Sequence, residues 1–286
     1  MSTTTTTTTT TTSIPSGPVE ASLTFYSPPA DNAPPYNYVE SPPPGLPQRN
    51  YGEHTTSVPL QDIRADPTAY TLDKDAFAVL SHIPTATTPA TFSDDAAVRT
   101  TYYPEVEALL LDTLHARRVV IFDHTIRRQN PSADRQPVHR AHVDQTARAA
   151  ADRVRLHAGS PAEAQRVFDS GERYRIVNVW RPLVPVVESS PLAFASARSV
   201  DPAADLVPVQ HRYPHRTGET MAVRYNPAQR WMYLSAMRDH ERLLLKCSDT
   251  ADGVGKSVPH TAFWHPRTPE GAAPRESIEV RALVFG

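Results

Sequence analysis

The sequence predicts a mainly β fold with flanking helices and a double-stranded β-helix, or jelly-roll, core. Two observations carry that expectation. Beyond about residue 170 the chain breaks into many short β-prone runs separated by Pro, Gly and Asp turns, the pattern of an antiparallel barrel or sandwich, with no internal repeat at a fixed period. His142-Val143-Asp144 also stands far from His260, so residues that read as one ligand set must be gathered from distant segments, as at a barrel mouth, where ligand pockets are usual. At 286 residues the chain can hold one large domain or two small ones, and single β-rich domains often reach roughly 200 to 250 residues. The expected division is a Thr-rich tail over 1–18, a Pro/Tyr-rich arm over 19–58 and a single domain over 59–286.

Taken in order, the elements have local causes. Met1 to about Pro18 is a threonine tract without apolar periodicity, so nothing offsets the entropy of ordering it, and disorder is expected. From Glu20 to about Val58 the chain turns to Pro, Tyr and Asn, with Tyr26, Tyr36, Tyr38 and the run Pro42-Pro43-Pro44. Proline removes donors and clashes inside a helix, so this stretch is expected to lie extended over the core with its aromatics as anchors. Tyr102 to His115 reads as a helix, with Pro104 in its first turn and acidic residues near its N-terminus. Arg118 to Asp123 reads as a buried strand, and helices are expected over about Gln145–His157 and Pro161–Phe168. Strands follow at Tyr174–Trp180, Leu206–His211, Thr220–Tyr225, Trp231–Ser235, Arg242–Cys247, Val258–Phe263 and Arg275–Phe285.

Composition narrows the function classes. A net charge of −2 gives no global attraction to nucleic acid or to an anionic membrane surface. Cys247 is the single cysteine, which excludes an intrachain disulfide and a multi-cysteine zinc site, and its place in Leu243-Leu244-Leu245-Lys246-Cys247 favours a thiol packed in a strand over a nucleophile. No apolar run approaches the roughly 20 residues of a membrane-spanning helix, and the N-terminus lacks the basic and apolar regions of a secretory signal. A cytoplasmic enzyme is expected.

The chemistry is carried by His142, Asp144 and His260. On a strand, residues two apart share a face, so His142 and Asp144 can reach one metal together. Two imidazoles and one carboxylate on one face of an octahedron, with the remaining positions open for exchange, are the ligand set of a non-haem Fe(II) oxygenase. Among twelve histidines, His265, His211, His215 and His240 compete with His260 for the third position. In the closing stretch, alternation places Arg275, Ser277, Glu279 and Arg281 on one face. An arginine buried at a barrel mouth is costly unless paired, and the carboxylate of a dicarboxylate cosubstrate suits its planar fork; Ser277 can add a hydroxyl to the same group. Arg281 has a competing explanation as a partner of Glu279. Substrate space is expected to be lined by His124 and Arg128, near Phe122, Asp123 and Arg127, and by Asn178, Trp180 and Arg181; Trp231 and Tyr233 are better explained by packing.

Six ordered stretches then resemble a known family: Tyr102-Tyr103-Pro104-Glu105-Val106-Glu107, Phe122-Asp123-His124-Thr125-Ile126-Arg127-Arg128, His142-Val143-Asp144-Gln145-Thr146, Asn178-Val179-Trp180-Arg181-Pro182-Leu183, Pro259-His260-Thr261-Ala262-Phe263 and Ser277-Ile278-Glu279-Val280-Arg281. They resemble the fungal hydroxylase/desaturase family, which includes the aspergillic acid hydroxylase/desaturase and the fungal gibberellin desaturase and is related to bacterial 7-alpha-cephem methoxylase components. The resemblance covers nearly the whole chain after the threonine tract. It implies an oxygenase domain that depends on Fe(II) and 2-oxoglutarate, with O2 and a small secondary-metabolite substrate as partners and hydroxylation, desaturation or ring formation as outcome. It further implies His142, Asp144 and His260 as iron ligands, with Arg275 as first choice and Arg281 as second choice for 2-oxoglutarate. Other classes to weigh are a non-catalytic metal-binding β-barrel or ligand carrier, and a protein or nucleic-acid hydroxylase of the same fold. An intact Arg275 argues against the carrier, and near-neutral charge against the nucleic-acid reading.

Overall fold

The computed structural model describes residues 14–286 apart from Pro131; the first thirteen residues of the expected tail lie outside them. Fourteen strands form two sheets: β1 (Val19–Ser27), β2 (Tyr36–Tyr38), β3 (Gly52–Asp62), β4 (Phe77–Leu80), β5 (Arg118–Arg128), β6 (His142–Val143), β7 (Tyr174–Pro182), β8 (Leu192–Ala195), β9 (Leu206–Arg212), β10 (Thr217–Val223), β11 (Trp231–Tyr233), β12 (Arg242–Asp249), β13 (His260–Ala262) and β14 (Glu276–Phe285). The large sheet runs β1-β3-β11-β8-β13-β6-β10-β9-β2 and the small one β4-β12-β7-β14-β5, and they pack as the jelly roll expected from the sequence. Two parts of the core fill the space between them. One gathers Leu23, Phe25, Leu60 and Trp231 of the large sheet with Ile176, Leu283 and Phe285 of the small sheet; the other gathers Phe194 and Met232 with Phe77, Trp180 and Leu245.

Three helices of more than two turns cover the sheets: α1 (Tyr103–Leu114), α2 (Ala147–His157) and α3 (Pro161–Asp169). α1 starts with Pro104 and Glu105 in its first turn and ends where His115 takes a left-handed φ of 49°. It lays Val106 and Leu110 on the outer face of the small sheet, against Val177, Val179, Ile278 and Val280. The expected helix from Gln145 begins two residues later, because Thr146 remains outside it and accepts the Ala149 N–H at 2.9 Å as a cap. Ser160 caps α3 in the same way.

The N-terminal segment is built into the large sheet. The boundary between Val58 and Pro59 falls inside β3, and the stretch read as an arm supplies β1, β2 and most of β3. β1 pairs antiparallel with β3 along its whole length, and β2 pairs parallel with β9. The strands were hidden by Thr and Pro, yet β11 covers only Leu60–Asp62 of β3, so Pro59 sits where the second edge is free and a missing donor is tolerated. The described end of the tail is also tied down: Gly17 N–H donates to Asp62 at 2.7 Å and the Tyr233 hydroxyl donates to the Gly17 carbonyl at 2.7 Å.

Phe25 is fully buried, edge-on to Trp231 at 5.7 Å and tilted against Tyr225 at 5.3 Å. If β1 is part of the core, Phe25→Ala should destabilise the protein by about 3 to 5 kcal/mol through lost burial and a residual cavity. Urea denaturation checks this; a change below about 1 kcal/mol would return the segment to a surface arm.

Candidate metal centre and active-site cavity

β13 and β6 lie side by side in the middle of the large sheet, and His260 is the cross-strand partner of His142. Their rings are 4.5 Å apart. Asp144 immediately follows β6, two residues beyond His142, so it shares the face of His142, and His142 Nε2 comes 3.3 Å from Asp144 Oδ1. One ligand atom from each of the three residues lies within 4.8 Å of the others, and among the described residues they are the one His/Cys/Asp/Glu group so arranged.

The surroundings orient these groups. His142 Nδ1 is 2.8 Å from the Arg140 carbonyl and His260 Nδ1 is 3.1 Å from the Val258 carbonyl. A carbonyl only accepts, so each Nδ1 carries the proton and each Nε2 keeps its lone pair for the centre, the usual arrangement behind metal-bound histidine. Burial and the nearby His142 ring push His260 down to about 4, so it is neutral near pH 7. Asp144 Oδ2 accepts from Asn178 Nδ2 at 2.8 Å and Arg281 Nε at 3.1 Å, which leaves Oδ1 for a cation. Burial alone would raise the Asp144 carboxyl, but the Arg281 guanidinium and His142 outweigh it and hold the carboxyl well below the usual carboxylate range. A bulge in β5 helps to position Arg281: Asp123 pairs with Arg281 and Ile121 with Ala282, leaving Phe122 as the extra residue.

The centre has a compartment on each side. The smaller is lined by His142, His260, Arg127, Trp180, Glu279 and Arg275. Arg275 is 1% exposed; its Nη1 donates to the Ser190 carbonyl at 2.6 Å, its guanidinium lies 5.6 Å from the Trp180 ring centre, and its Nε has no partner among the described residues. Burial and the charge of Arg127 pull Arg275 down to about 9, and the charge of Glu279 in the same pocket offsets this only in part. The larger compartment is a cavity of about 640 Å³ between α2, the β9–β10 hairpin and β5, and Asp144 and Arg281 form part of its wall. Its size is that of a small-molecule site.

Comparison with known proteins bears directly on this geometry. A family described as "YDMC: Oxidoreductase/YMDC permease-like domain" matches residues 23–285. The hydroxylase/desaturase poxK of Penicillium oxalicum is 35% identical, with 87% of this chain and 86% of the relative covered. The Fe(II)/2-oxoglutarate-dependent dioxygenase nvfI of Aspergillus novofumigatus is 33% identical over 93% of this chain and 96% of its own. The chain belongs to this fungal family of Fe(II)/2-oxoglutarate-dependent hydroxylases and desaturases. A solved structure of the iron and alpha-ketoglutarate-dependent endoperoxidase NvfI superposes on the oxygenase with a TM-score of 0.83 at 31% identity, covering 94% of this chain and 98% of that one. The relatives named here are fungal, and none carries the bacterial cephem methoxylase link. Among the described residues no helix of the oxygenase is long and apolar enough to cross a membrane.

The structure sorts the residues singled out from sequence. His142, Asp144 and His260 meet, whereas His265 is bonded to Tyr233, His211 to Thr220, and His240 stacks on His82. Asn178 and Trp180 of β7 point between the sheets and reach the centre and the small pocket. Arg181 points to the other face of the same strand, over Phe92 and Tyr102 at 5.2 and 5.3 Å. His124 also faces outward, to the Tyr103 hydroxyl of α1 at 2.8 Å, and Arg128 pairs with Glu276 at 3.0 Å, so these three do not join the metal site. Arg281 is already engaged by Asp144, Asp123, Thr125 and Glu279. Cys247 is buried in β12, and burial pushes its thiol well up, as expected of a packed cysteine. The charged face of α2 (Arg148, Asp152, Arg153), with Tyr213 and Arg216 of the hairpin, lines the large cavity without having been anticipated. The spacing 148, 152, 153 on a predicted helix was the available signal.

A pH prediction follows from two imidazoles, the buried His260 and the partly buried His139. Burial lowers both His260 and His139 from 6.5 to about 4. Below pH 6.5 the unfolded chain takes up protons that the folded chain refuses, so stability present above that value is lost as pH falls toward 4. The melting temperature of metal-free protein should fall through this window, less steeply in His139→Gln. An identical pH profile for wild type and His139→Gln would contradict burial of a neutral His139.

Proposed function

We propose that His142 and His260 through Nε2 and Asp144 through Oδ1 hold Fe(II), that Arg275 holds 2-oxoglutarate, and that the large cavity holds the small secondary-metabolite substrate. One observation carries the reading: three ligands converge beside a fully buried arginine whose Nε has no partner. The donor set fits the ion, since two nitrogens and one anionic oxygen leave half of an octahedron open. The charge of the small pocket suits the cosubstrate, because a carboxylate would satisfy Arg275 and offset its crowding by Arg127.

When bound, iron and 2-oxoglutarate supply activation of O2 and hydrogen abstraction from an unactivated carbon. The chain's own residues prepare that chemistry. The Arg140 and Val258 carbonyls fix both imidazoles, while Asn178 and Arg281 hold Asp144 ionised and aimed. Trp180 walls the small pocket and helps keep water out. Ser277, buried two residues beyond Arg275, belongs to the proposed cosubstrate end, and Arg281 is assigned to positioning Asp144. Hydroxylation, desaturation and ring formation differ in which substrate hydrogen faces the centre, which the large cavity decides. The proposal takes the protein as cytoplasmic, with neither nucleic acid nor membrane as partner, in keeping with a net charge of −2.

Succinate release from 2-oxoglutarate in the presence of a panel of candidate metabolites tests the reading. Alanine at His142, Asp144 or His260 should abolish it with the fold retained. Arg275→Leu should raise the KM for 2-oxoglutarate by roughly 30-fold or more, since losing one partner of a buried charge pair costs about 2 to 5 kcal/mol, while metal binding survives. If instead Arg281→Leu alone raised that KM, with Asp144 still binding metal, the cosubstrate role would move to Arg281.

A further inference from the structure

The wall of the large cavity carries an imbalance of charge. Its acidic residues are all matched: Asp144 and Asp123 with Arg281, Asp152 with Arg155 at 2.7 Å and Glu219 with Arg148 at 3.2 Å. Arg127, Arg135, Arg153 and Arg216 line the same space with no carboxylate in ion-pair reach among the described residues. Arg127 also faces the small pocket, and its Nη1 donates to the Gln136 carbonyl at 3.0 Å. Arg153 and Arg216 are different. Each guanidinium lies on an aromatic face, Arg153 over Phe122 at 4.8 Å and Arg216 over Tyr213 at 3.9 Å. Stacking occupies the flat side of a guanidinium and leaves its edge of N–H donors free, the geometry that grips an oxyanion in the plane of the fork.

We propose that the substrate bears a carboxylate that docks on Arg153 of α2 and Arg216 of the β9–β10 hairpin, fixing the rest of the molecule against the metal centre. The assignment rests on the oxygenase reading above and adds the substrate class. The two arginines come from separate elements that line the same cavity, so one bound anion would join α2 to the hairpin. Leu156, 71% exposed on the cavity side of α2, and Tyr213 offer apolar surface to the substrate skeleton beside its charge. Arg153 is held below the ordinary range for arginine, first by burial and then by the charge of Arg216, a repulsion that a shared anion removes.

The test uses matched probes: abietic acid, 2-naphthylacetic acid and dodecanoic acid, each beside its methyl ester, titrated calorimetrically without O2 into protein loaded with Fe(II) and 2-oxoglutarate. The unaltered protein should bind the acids about tenfold more tightly than the esters, as expected where charge-assisted bonds replace neutral contacts. Arg153→Gln and Arg216→Gln should each bring acid and ester to within about twofold, and Arg153→Lys should keep part of the preference, while the Kd for 2-oxoglutarate is unchanged. Equal binding of acids and esters by the unaltered protein overturns the proposal. A weakened Kd for 2-oxoglutarate in the glutamine variants also overturns it, by assigning the arginines to the cosubstrate. Failure of the unaltered protein to bind Fe(II) or 2-oxoglutarate at all would sink the oxygenase reading itself, and would be seen in the loading step before any probe is added.

Discussion

The Arg281 guanidinium is the group on which the arrangement of the centre depends. It reaches Asp144, Asp123, Glu279 and the Thr125 hydroxyl, and so ties β5 and β14 of the small sheet to the proposed metal ligand that follows β6 of the large one. Buried carboxylates are expensive when left alone, and removing one partner of such a cluster typically costs about 3 to 5 kcal/mol. Here one cation serves two largely buried carboxylates, Asp144 and Glu279, and the half-exposed Asp123. Burial, together with the charge of Asp144, raises Glu279, and Arg281 opposes it. The same cation keeps Asp144 ionised, so one interaction both closes the two sheets at this point and sets the charge of a ligand.

Around that cluster the site divides by electrostatics. On the side of the imidazoles, Arg275 sits in a narrow, tryptophan-walled pocket with an unmet donor, so it suits a ligand that is small and anionic. On the side of Asp144, the space widens and two of its arginines, Arg153 and Arg216, are stacked on aromatic rings, which keeps them extended without neutralising them. Stacking supports a cation at little entropic cost because the planar group is already ordered before a ligand arrives. The jelly roll makes this division possible. Its two sheets supply the candidate ligands and their supports, while a helix and a hairpin close the larger compartment.

Much of this was legible locally. The helices announce themselves by Pro104, Thr146 and Ser160, whose effects are exerted within one turn, and the structure places them within two residues of expectation at their starts. The pair His142 and Asp144 was readable because strand alternation is a property of the backbone itself. β1 and β3 were not readable, since their Thr and Pro content suits an exposed edge as well as a coil, and only their mutual pairing over nine residues makes them strands.

What the sequence determined by itself was therefore chemistry and parity: which residues can bind a metal or a carboxylate, and which of them share a face of their strand. Asn178 and Trp180 share one face of β7 and Arg181 lies on the other, and that much follows from spacing alone. Which face turns toward the metal was decided by tertiary structure, because it depends on which sheet and which helix cover β7, and α1 covers the side of Arg181. The choice of His260 among five histidines, and of Arg275 rather than Arg281 as the cation with an unmet donor, is of the same kind. Strand pairing brings His260 to His142, and Asp144 and Asp123 join the nearby Glu279 around Arg281 while Arg275 has no carboxylate in ion-pair reach among the described residues; apart from Glu279 these are contacts between residues more than a hundred positions apart, and no local periodicity encodes them.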